Sequence, residues 1–455
     1  MADRNRIYLF IICLFLLPCS IGCSTEEYIE EYVDIILQDS ISVNDDDKSS
    51  NTPHKSKIPD DSLGRVNAVK KAYQMTDITF TPLKQLYGLK KTYKKDSEYK
   101  GLPYSMVSEM GNYIGANVSF HTFMTALHNP KSKLYSEDVS KTPYHGRNCK
   151  AYYGVVCSSL VSYALGIYPS FSTKDFCESD LMIEIPSQEI DSVKTADVLW
   201  KNGHVALITD ISKDKEGHLL TIEISESVET GCRRYSKTRN EFCELMKSSF
   251  KKIYRYKELY KNINYISIPE FVSVTGEEPI SFNYNDNLCV DKGDKSCYLE
   301  GDTVTVNVMH AYDRIEIYKD DNLYLSISEK TEEDVCLSNL PYGDYKARIF
   351  FNGQYSDFTY WKVVNINVSV DRKNGRVTFS SANAVPQYMH FRDIAGLMQP
   401  IPTQKYGFHL FTEQDITNGY VNVDNSSVKQ EYPYLRVYFS TDYGTIINKP
   451  INWYE

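Results

Sequence analysis

The sequence predicts an α+β domain followed by two all-β sandwiches. Three observations carry that prediction. Residues 63–260 mix helical and strand-like patterns. From residue 261 onward, short alternating runs recur with turn signals between them. Ahead of both lie an apolar leader and a polar stretch poor in large apolar residues. The division expected is a leader at 1–22, a tether at 23–62, the mixed domain at 63–260, and sandwiches at 261–367 and 368–455. At roughly 100–200 residues per domain, 455 residues suit several domains. Hydrophobic residues at 42% and charged residues at 24% make a globular composition.

Arg4 and Arg6 precede an apolar run from Ile7 to Ile21. That run is short for a membrane span and fits the apolar region of a signal peptide. It ends in Ser20-Ile21-Gly22-Cys23. A small residue before a cysteine, directly after such a run, resembles the lipobox of bacterial lipoproteins, with Ser20 where leucine is usual. The resemblance implies that Cys23 becomes the lipidated first residue, anchoring the chain in an outer membrane with its bulk facing the periplasm or the surface. Glu26-Glu27 is similar to the export signal of surface lipoproteins in Bacteroidetes-type bacteria. Ordinary signal cleavage, giving a soluble exported protein, is the competing reading. Tyr28–Leu37 carries a short helical pattern, and residues 40–62 read as a flexible tether.

Within the mixed domain, residues 64–75 place apolar side chains at helical spacing. Residues 117–129, NVSFHTFMTALHN, predict a helix stopped at Asn129-Pro130. Cys157–Gly166, CSSLVSYALG, predicts a buried helix face of Leu160, Val161, Ala164 and Leu165, with Gly166 as its C-terminal cap. HVALITDI (204–211) and LLTIEIS (219–225) predict two strands joined by a charged turn. Beyond residue 261 the runs TVTVNVM, RIEIYKD, LYLSIS, YKARIFF, WKVVNINVSV, RVTFSS, YVNV and YLRVYFS predict sandwich strands. The turn in LPYGDYKARI resembles the one before a late strand of bacterial immunoglobulin-like domains. The 37 tyrosines suit half-buried strand faces and binding grooves.

The net charge of −10 argues against nucleic-acid binding. Of 11 cysteines, Cys13 and Cys19 lie in the leader and Cys23 directly follows it, and none forms a CxxC pair, so a structural zinc site is not expected. Cys289 and Cys297 flank a Gly/Asp/Lys turn, and an exported compartment permits a disulfide between them. His121, His128, His145 and His218 show no metal-ligand spacing. No metal and no cofactor are expected.

The candidate chemistry centres on Cys157. Attack of cysteine on an amide needs a thiolate, a base to hold its proton, and a group that orients the base. A helix N-terminus favours the thiolate through its dipole and unpaired N–H groups. Gly154-Val155-Val156 leads into Cys157, and the small Ser158 and Ser159 leave those N–H groups accessible, with Ser158 also expected to bind substrate. The backbone N–H of Cys157 can then act as an oxyanion donor. A buried structural cysteine is the competing reading for this residue alone. His204 follows the tight turn Asn202-Gly203 at the start of a strand, where its ring can reach a helix N-terminus. Glu226 ends the next strand, where a carboxylate can accept Nδ1–H and leave Nε2 facing sulfur. Glu223 is the alternative carboxylate, although strand alternation puts it on the opposite face. Trp200 and Asn202 flank His204 and are expected to shape the cleft. Arg233 and Arg234 can bind a substrate carboxylate or form a solvated charged face.

CSSLVSYALG, NGHVALITDI and TIEISES together resemble the NlpC-type and CHAP-type papain-like amidases of bacterial cell walls. The likeness covers residues 100–257. The family motif is a cysteine starting a helix, a G-H-V-A-like strand and a polar third residue, and the CHAP branch uses glutamate in that third place. Ala196-Asp197-Val198-Leu199-Trp200 looks like the family's G-D-hydrophobic turn. Tyr104, in GLPYS, resembles its cleft-lining Pro-Tyr segment, with a packing tyrosine as the competing reading. The chain departs from the family at Val156, where Asp is common, and at Ser159, where Gly is common. The resemblance implies a papain-like fold and a monomer that cuts a peptidoglycan stem peptide at a D-glutamyl–diamino acid bond through a thioester. Two other functions compete: an inert binding or adhesion lipoprotein, and a papain-like acyl transferase.

Overall fold

The computed structural model describes residues 61–105, 113–135, 153–262, 282, 284–328, 333–392 and 409–455. The leader, Cys23, the 28–37 pattern, His145 and Cys149 lie outside the described residues. So does the expected tether, except that Ser62 begins a helix rather than ending a flexible segment.

Among the described residues, the longer helices of the first part are α1 (Ser62–Asp77), α2 (Phe120–His128), α3 (Cys157–Leu165) and α4 (Arg239–Ser248). Six strands form one antiparallel sheet: β1 (Met182–Ile185), β2 (Val198–Lys201), β3 (His204–Lys213), β4 (Leu219–Val228), β5 (Gly231–Thr238) and β6 (Lys252–Tyr256). Their order is β1-β6-β2-β3-β4-β5. Both faces of this sheet are covered. Val205 and Leu207 of β3 pack with Leu160 and Val161 of α3 and Ala68 and Ala72 of α1. Ala206 and Ile208 pack on the other side with Ile222, Ile224, Phe242 and Phe250. That is why HVALI reads as a continuous apolar run rather than an alternation.

The helix ends are specified locally. In α2, Ser119 caps the start by accepting from Thr122 N–H at 2.9 Å, and the chain leaves at Asn129-Pro130. In α3, Gly166 adopts φ 70 and its N–H reaches back to Ser162 and Tyr163 carbonyls. At the other end the Ser159 hydroxyl accepts from Val156 N–H at 2.9 Å and donates to Val156 O at 3.0 Å. Ser159 therefore fixes the backbone just before Cys157.

The rest is β-sandwich. In the first, Leu288–Val290, Val304–Val308 and Val335–Leu337 face a sheet of Ser296–Leu299, Thr359–Val364, Gly343–Phe351, Arg314–Lys319 and Asn322–Ile327. Ile315, Ile317, Tyr345, Ala347 and Trp361 fill its core. In the second, Ile366–Asp371, Arg376–Ser381 and Tyr420–Asn422 oppose His409–Leu410, Val385–Arg392, Tyr434–Thr441 and Gly444–Ile447. Phe379, Phe391, Phe439 and Trp453 fill that core. The run expected as one strand, WKVVNINVSV, breaks at Asn365, where the chain passes from one sandwich to the other.

Cys289 and Cys297 do not form the expected disulfide; both are free thiols. They stand on different sheets, and the Cys297 sulfur is 3.2 Å from the Thr441 hydroxyl of the second sandwich. The turn between them docks on α2 instead. Asp294 contacts His121 at 2.7 Å, and Gly293 (φ 93) lies so close that a Cβ would stand 2.2 Å from Thr122 O. Asn129 donates to Asn307 at 2.9 Å, and Thr445 N–H of the second sandwich reaches Asn117 O at 3.0 Å. Both sandwiches thus pack on the 117–133 stretch.

Candidate active site

Cys157 is the first residue of α3 and 6% exposed. The strand-like segment before it is pinned on two sides. Val155 bridges to Tyr104, and its carbonyl accepts from Ser105 N–H at 3.3 Å and from the Ser227 hydroxyl at 3.2 Å. The first turn of α3 therefore opens beside the end of β4, with its N–H groups and dipole directed at the sulfur's surroundings.

His204 opens β3 after the hairpin with β2, where it pairs with Lys201. Its ring stacks on Phe250 with centroids 5.8 Å apart. Nε2 lies 2.8 Å from Oε2 of Glu226, and Cys157 lines the same cleft and favours the charged ring. The orientation is the reverse of the one expected from the sequence: Nε2, not Nδ1, meets the carboxylate, and Nδ1 is left for sulfur. The two nitrogens serve equally well, because a ring held at one nitrogen by a carboxylate presents the other.

Glu226 is 4% exposed. His204 takes one carboxylate oxygen, and Arg233 takes the other through Nε at 3.0 Å and Nη2 at 2.7 Å. Burial opposes charge on Glu226, but the hydrogen bonds of His204 and Arg233 outweigh it and hold the carboxyl below its usual range. Burial likewise works against protonating His204. Hydrogen bonds and charge from Cys157 and Glu226 outweigh it and raise the imidazole from 6.5 to about 9. A cationic ring between a sulfur and a carboxylate is the arrangement that stabilises a thiolate.

Glu223 is committed elsewhere. It accepts from Tyr73 at 2.8 Å, Thr209 at 3.0 Å and Arg234 at 3.0 Å, on the opposite face of β4 from Glu226. Arg234 also reaches Asp77. Glu226→Ala is therefore expected to lower turnover on the order of 10²- to 10⁴-fold, and Glu223→Ala far less. The same variant shifts the pH profile. His204 has a raised pKa, so its proton is present at neutral pH and lost as pH rises through about 9. Activity that needs the imidazolium falls there in the native protein, and at lower pH once Glu226 is removed. The reverse ranking of the two glutamates would reassign the orienting role.

Cys157, His204, Glu226 and Tyr104 line one cleft of about 470 Å³. Its walls also include Lys201, Tyr235, Leu245, Ser249, Phe250 and Arg233, all from the α/β part. Ser158, expected to bind substrate, follows Cys157 in α3 and is partly exposed outside that lining. Trp200 and Asn202 stand apart from it too. The Trp200 indole donates to Thr173 O at 2.6 Å and packs against Tyr254, so it belongs to the body of the domain. Asn202 is exposed at the hairpin tip. Sequence reasoning missed Arg233 as the partner of Glu226. The signal was present: the turn after Val228 pairs Val228 with Gly231, and counting back puts Glu226 opposite Arg233. Among the described residues, no group of His, Cys, Asp and Glu is arranged to hold a metal.

No family model matches this chain, and no curated protein matches it. Solved structures match through sandwich domains. The CD2-binding domain of CD58 is 7% identical, with a TM-score of 0.18, covering 34% of this chain and 96% of its own. Fibronectin(III)-like modules of CbhA from Clostridium thermocellum are 12% identical, with a TM-score of 0.18, covering 36% and 90%. The human OSCAR ligand-binding domain is 12% identical, with a TM-score of 0.17, covering 37% and 97%. At these values the likenesses have no bearing on the cleft.

Proposed function

We propose that the protein is a cell-wall cysteine peptidase or amidase with a papain-like domain of NlpC or CHAP type, followed by immunoglobulin-like modules. The observation that carries this reading is the joined array of Cys157, His204 and Glu226 in one cleft. In the proposed reaction the Cys157 thiolate attacks the carbonyl of a stem-peptide amide. The backbone N–H of Cys157 stabilises the oxyanion. His204 then gives its proton to the leaving amine, and the acyl group remains as a thioester on sulfur. Next, His204 takes a proton from water, whose oxygen attacks the thioester and expels the Cys157 thiolate, restoring the thiolate beside the protonated ring. Glu226 holds the ring in register through both steps. A D-glutamyl–diamino acid bond is the proposed target, by the family resemblance. The test is digestion of purified muropeptides with mass analysis of the products: a new amine and a new carboxyl terminus are expected. Inactivity on every muropeptide tested would sink the reading.

The proposed place of action is the bacterial cell envelope, with the chain held to an outer membrane through lipid on Cys23. Mass spectrometry of the mature protein is expected to find a diacylglyceryl group on Cys23 at the N-terminus. An unmodified N-terminus elsewhere would overturn the anchor without touching the chemistry.

A further inference from the structure

Arg233 is the cross-strand partner of Glu226 and lies on the same face of the sheet. Both of its hydrogen bonds to Glu226 fall on Oε1, which leaves Oε2 to His204. We infer that Arg233 is a positioning residue of this array, holding the Glu226 carboxylate in the orientation that presents Oε2 to the imidazole. The inference rests on the reading of Cys157 as the nucleophile.

Geometry favours this role over a simple surface charge. Two guanidinium N–H groups converge on Oε1 and fix that oxygen from two directions, whereas an ammonium gives a point charge. The Arg233 side chain is 57% exposed, but Glu226 is nearly buried, so the fork closes the solvent side of an otherwise enclosed carboxylate. The guanidinium also lies 5.5 Å from the Tyr235 ring centroid, which restrains it from the far side. Of the other charged or titratable groups lining the cleft, Lys201 donates to Ser249 at 3.2 Å, and Glu229 pairs with Lys90. Cys157 lines the same cleft as His204. Tyr104 and Tyr235 complete the titratable lining, and Leu245, Ser249 and Phe250 carry no charge. Arg233 is therefore the cation within the described cleft that contacts Glu226.

The test reads Cys157 itself and needs no substrate. Full-length protein is treated with iodoacetamide between pH 5 and pH 10, and alkylation is followed peptide by peptide, with the exposed Cys336 as internal reference. In the native protein Cys157 is expected to react faster than Cys336 at pH 6, as a thiolate beside an imidazolium does. Arg233→Gln should slow alkylation of Cys157 at pH 6 roughly tenfold, with Cys336 unchanged. Arg233→Lys should recover part of the rate. Glu226→Gln alone should match the double variant Arg233→Gln/Glu226→Gln, because a residue that acts only through Glu226 has nothing left to orient. In hydrolysis, Arg233→Gln should lower kcat with KM unchanged. A native-like alkylation profile for Arg233→Gln, additive effects in the double variant, or a change confined to KM would each overturn the inference. If native Cys157 reacts no faster than Cys336 at pH 6, the nucleophile reading fails first and this one falls with it.

Discussion

Cys157→Ala is expected to abolish hydrolysis of stem peptides and leave a folded protein. The chemical loss is large because no other group can form the thioester. In comparable nucleophile deletions the drop is on the order of 10⁶-fold. The structural loss is small. The start of α3 is fixed by Ser159 and the backbone of Val156, and its end by Gly166, so neither terminus uses the sulfur. Its small side chain lines the cleft at the edge of the apolar core, so its loss opens little space. Stability should fall by about 1 kcal/mol, the ordinary effect of a point substitution. Cys232 provides the contrast. It is fully buried beside Ser227, and burial pushes its thiol up to about 12. Cys232→Ala should keep activity, since that sulfur faces no base. Circular dichroism with thermal unfolding checks the fold of both variants, and muropeptide digestion checks function. Measurable thioester chemistry in Cys157→Ala would remove Cys157 from the mechanism.

How much of this was legible before the structure depended on how local the signal was. The α3 helix was readable because its apolar face and its terminal glycine lie within ten consecutive residues. His204 and Glu226 were readable because a turn, a strand start and a strand end are local features. The ring orientation was not, because it depends on where Cys157 approaches across the end of the sheet. The role of Arg233 was missed because GCRRYSKT lacks the apolar alternation that marks a strand. Trp200 was misplaced because sequence adjacency to His204 says nothing about direction; β2 turns the indole towards Thr173 and the core. In the sandwiches, the strand Val385–Arg392 escaped notice because Pro386 interrupts its pattern. The structure accommodates it with a register shift between Pro386 and Tyr388. Strand pairing between distant segments, and the docking of the 291–295 turn on α2, leave no local trace in the sequence.

Asp197→Ala is expected to be among the most destabilising single changes in the chain, at about 3–5 kcal/mol. Asp197 is 0% exposed. Arg255 of β6 binds both its oxygens, at 2.8 and 2.7 Å, Arg65 of α1 lies 3.4 Å away, and Lys194 N–H donates at 2.9 Å. One carboxylate thus ties a helix, a strand and the turn that begins β2. Ala196 beside it holds φ 64, a left-handed conformation that disfavours a side chain and that glycine would adopt freely. The carboxylate helps to hold the chain there. Removing it leaves the Arg255 guanidinium with the neutral Ser192 O in place of a carboxylate, and an ion stripped of its counter-charge costs far more than the pair contributed. Asp197→Asn keeps the shape and some acceptors, so its loss should be smaller. The surface pair Lys247–Glu244, 72% and 71% exposed, sets the baseline: Glu244→Ala should change stability by no more than about 0.5 kcal/mol. Denaturant unfolding of the three variants ranks them. The effect also reaches the cleft, because β2 runs from this turn to the hairpin that presents His204. Asp197→Ala should therefore lose turnover at temperatures where it is still folded, and equal stability of Asp197→Ala and Glu244→Ala would show that the buried ion cluster does not set that register.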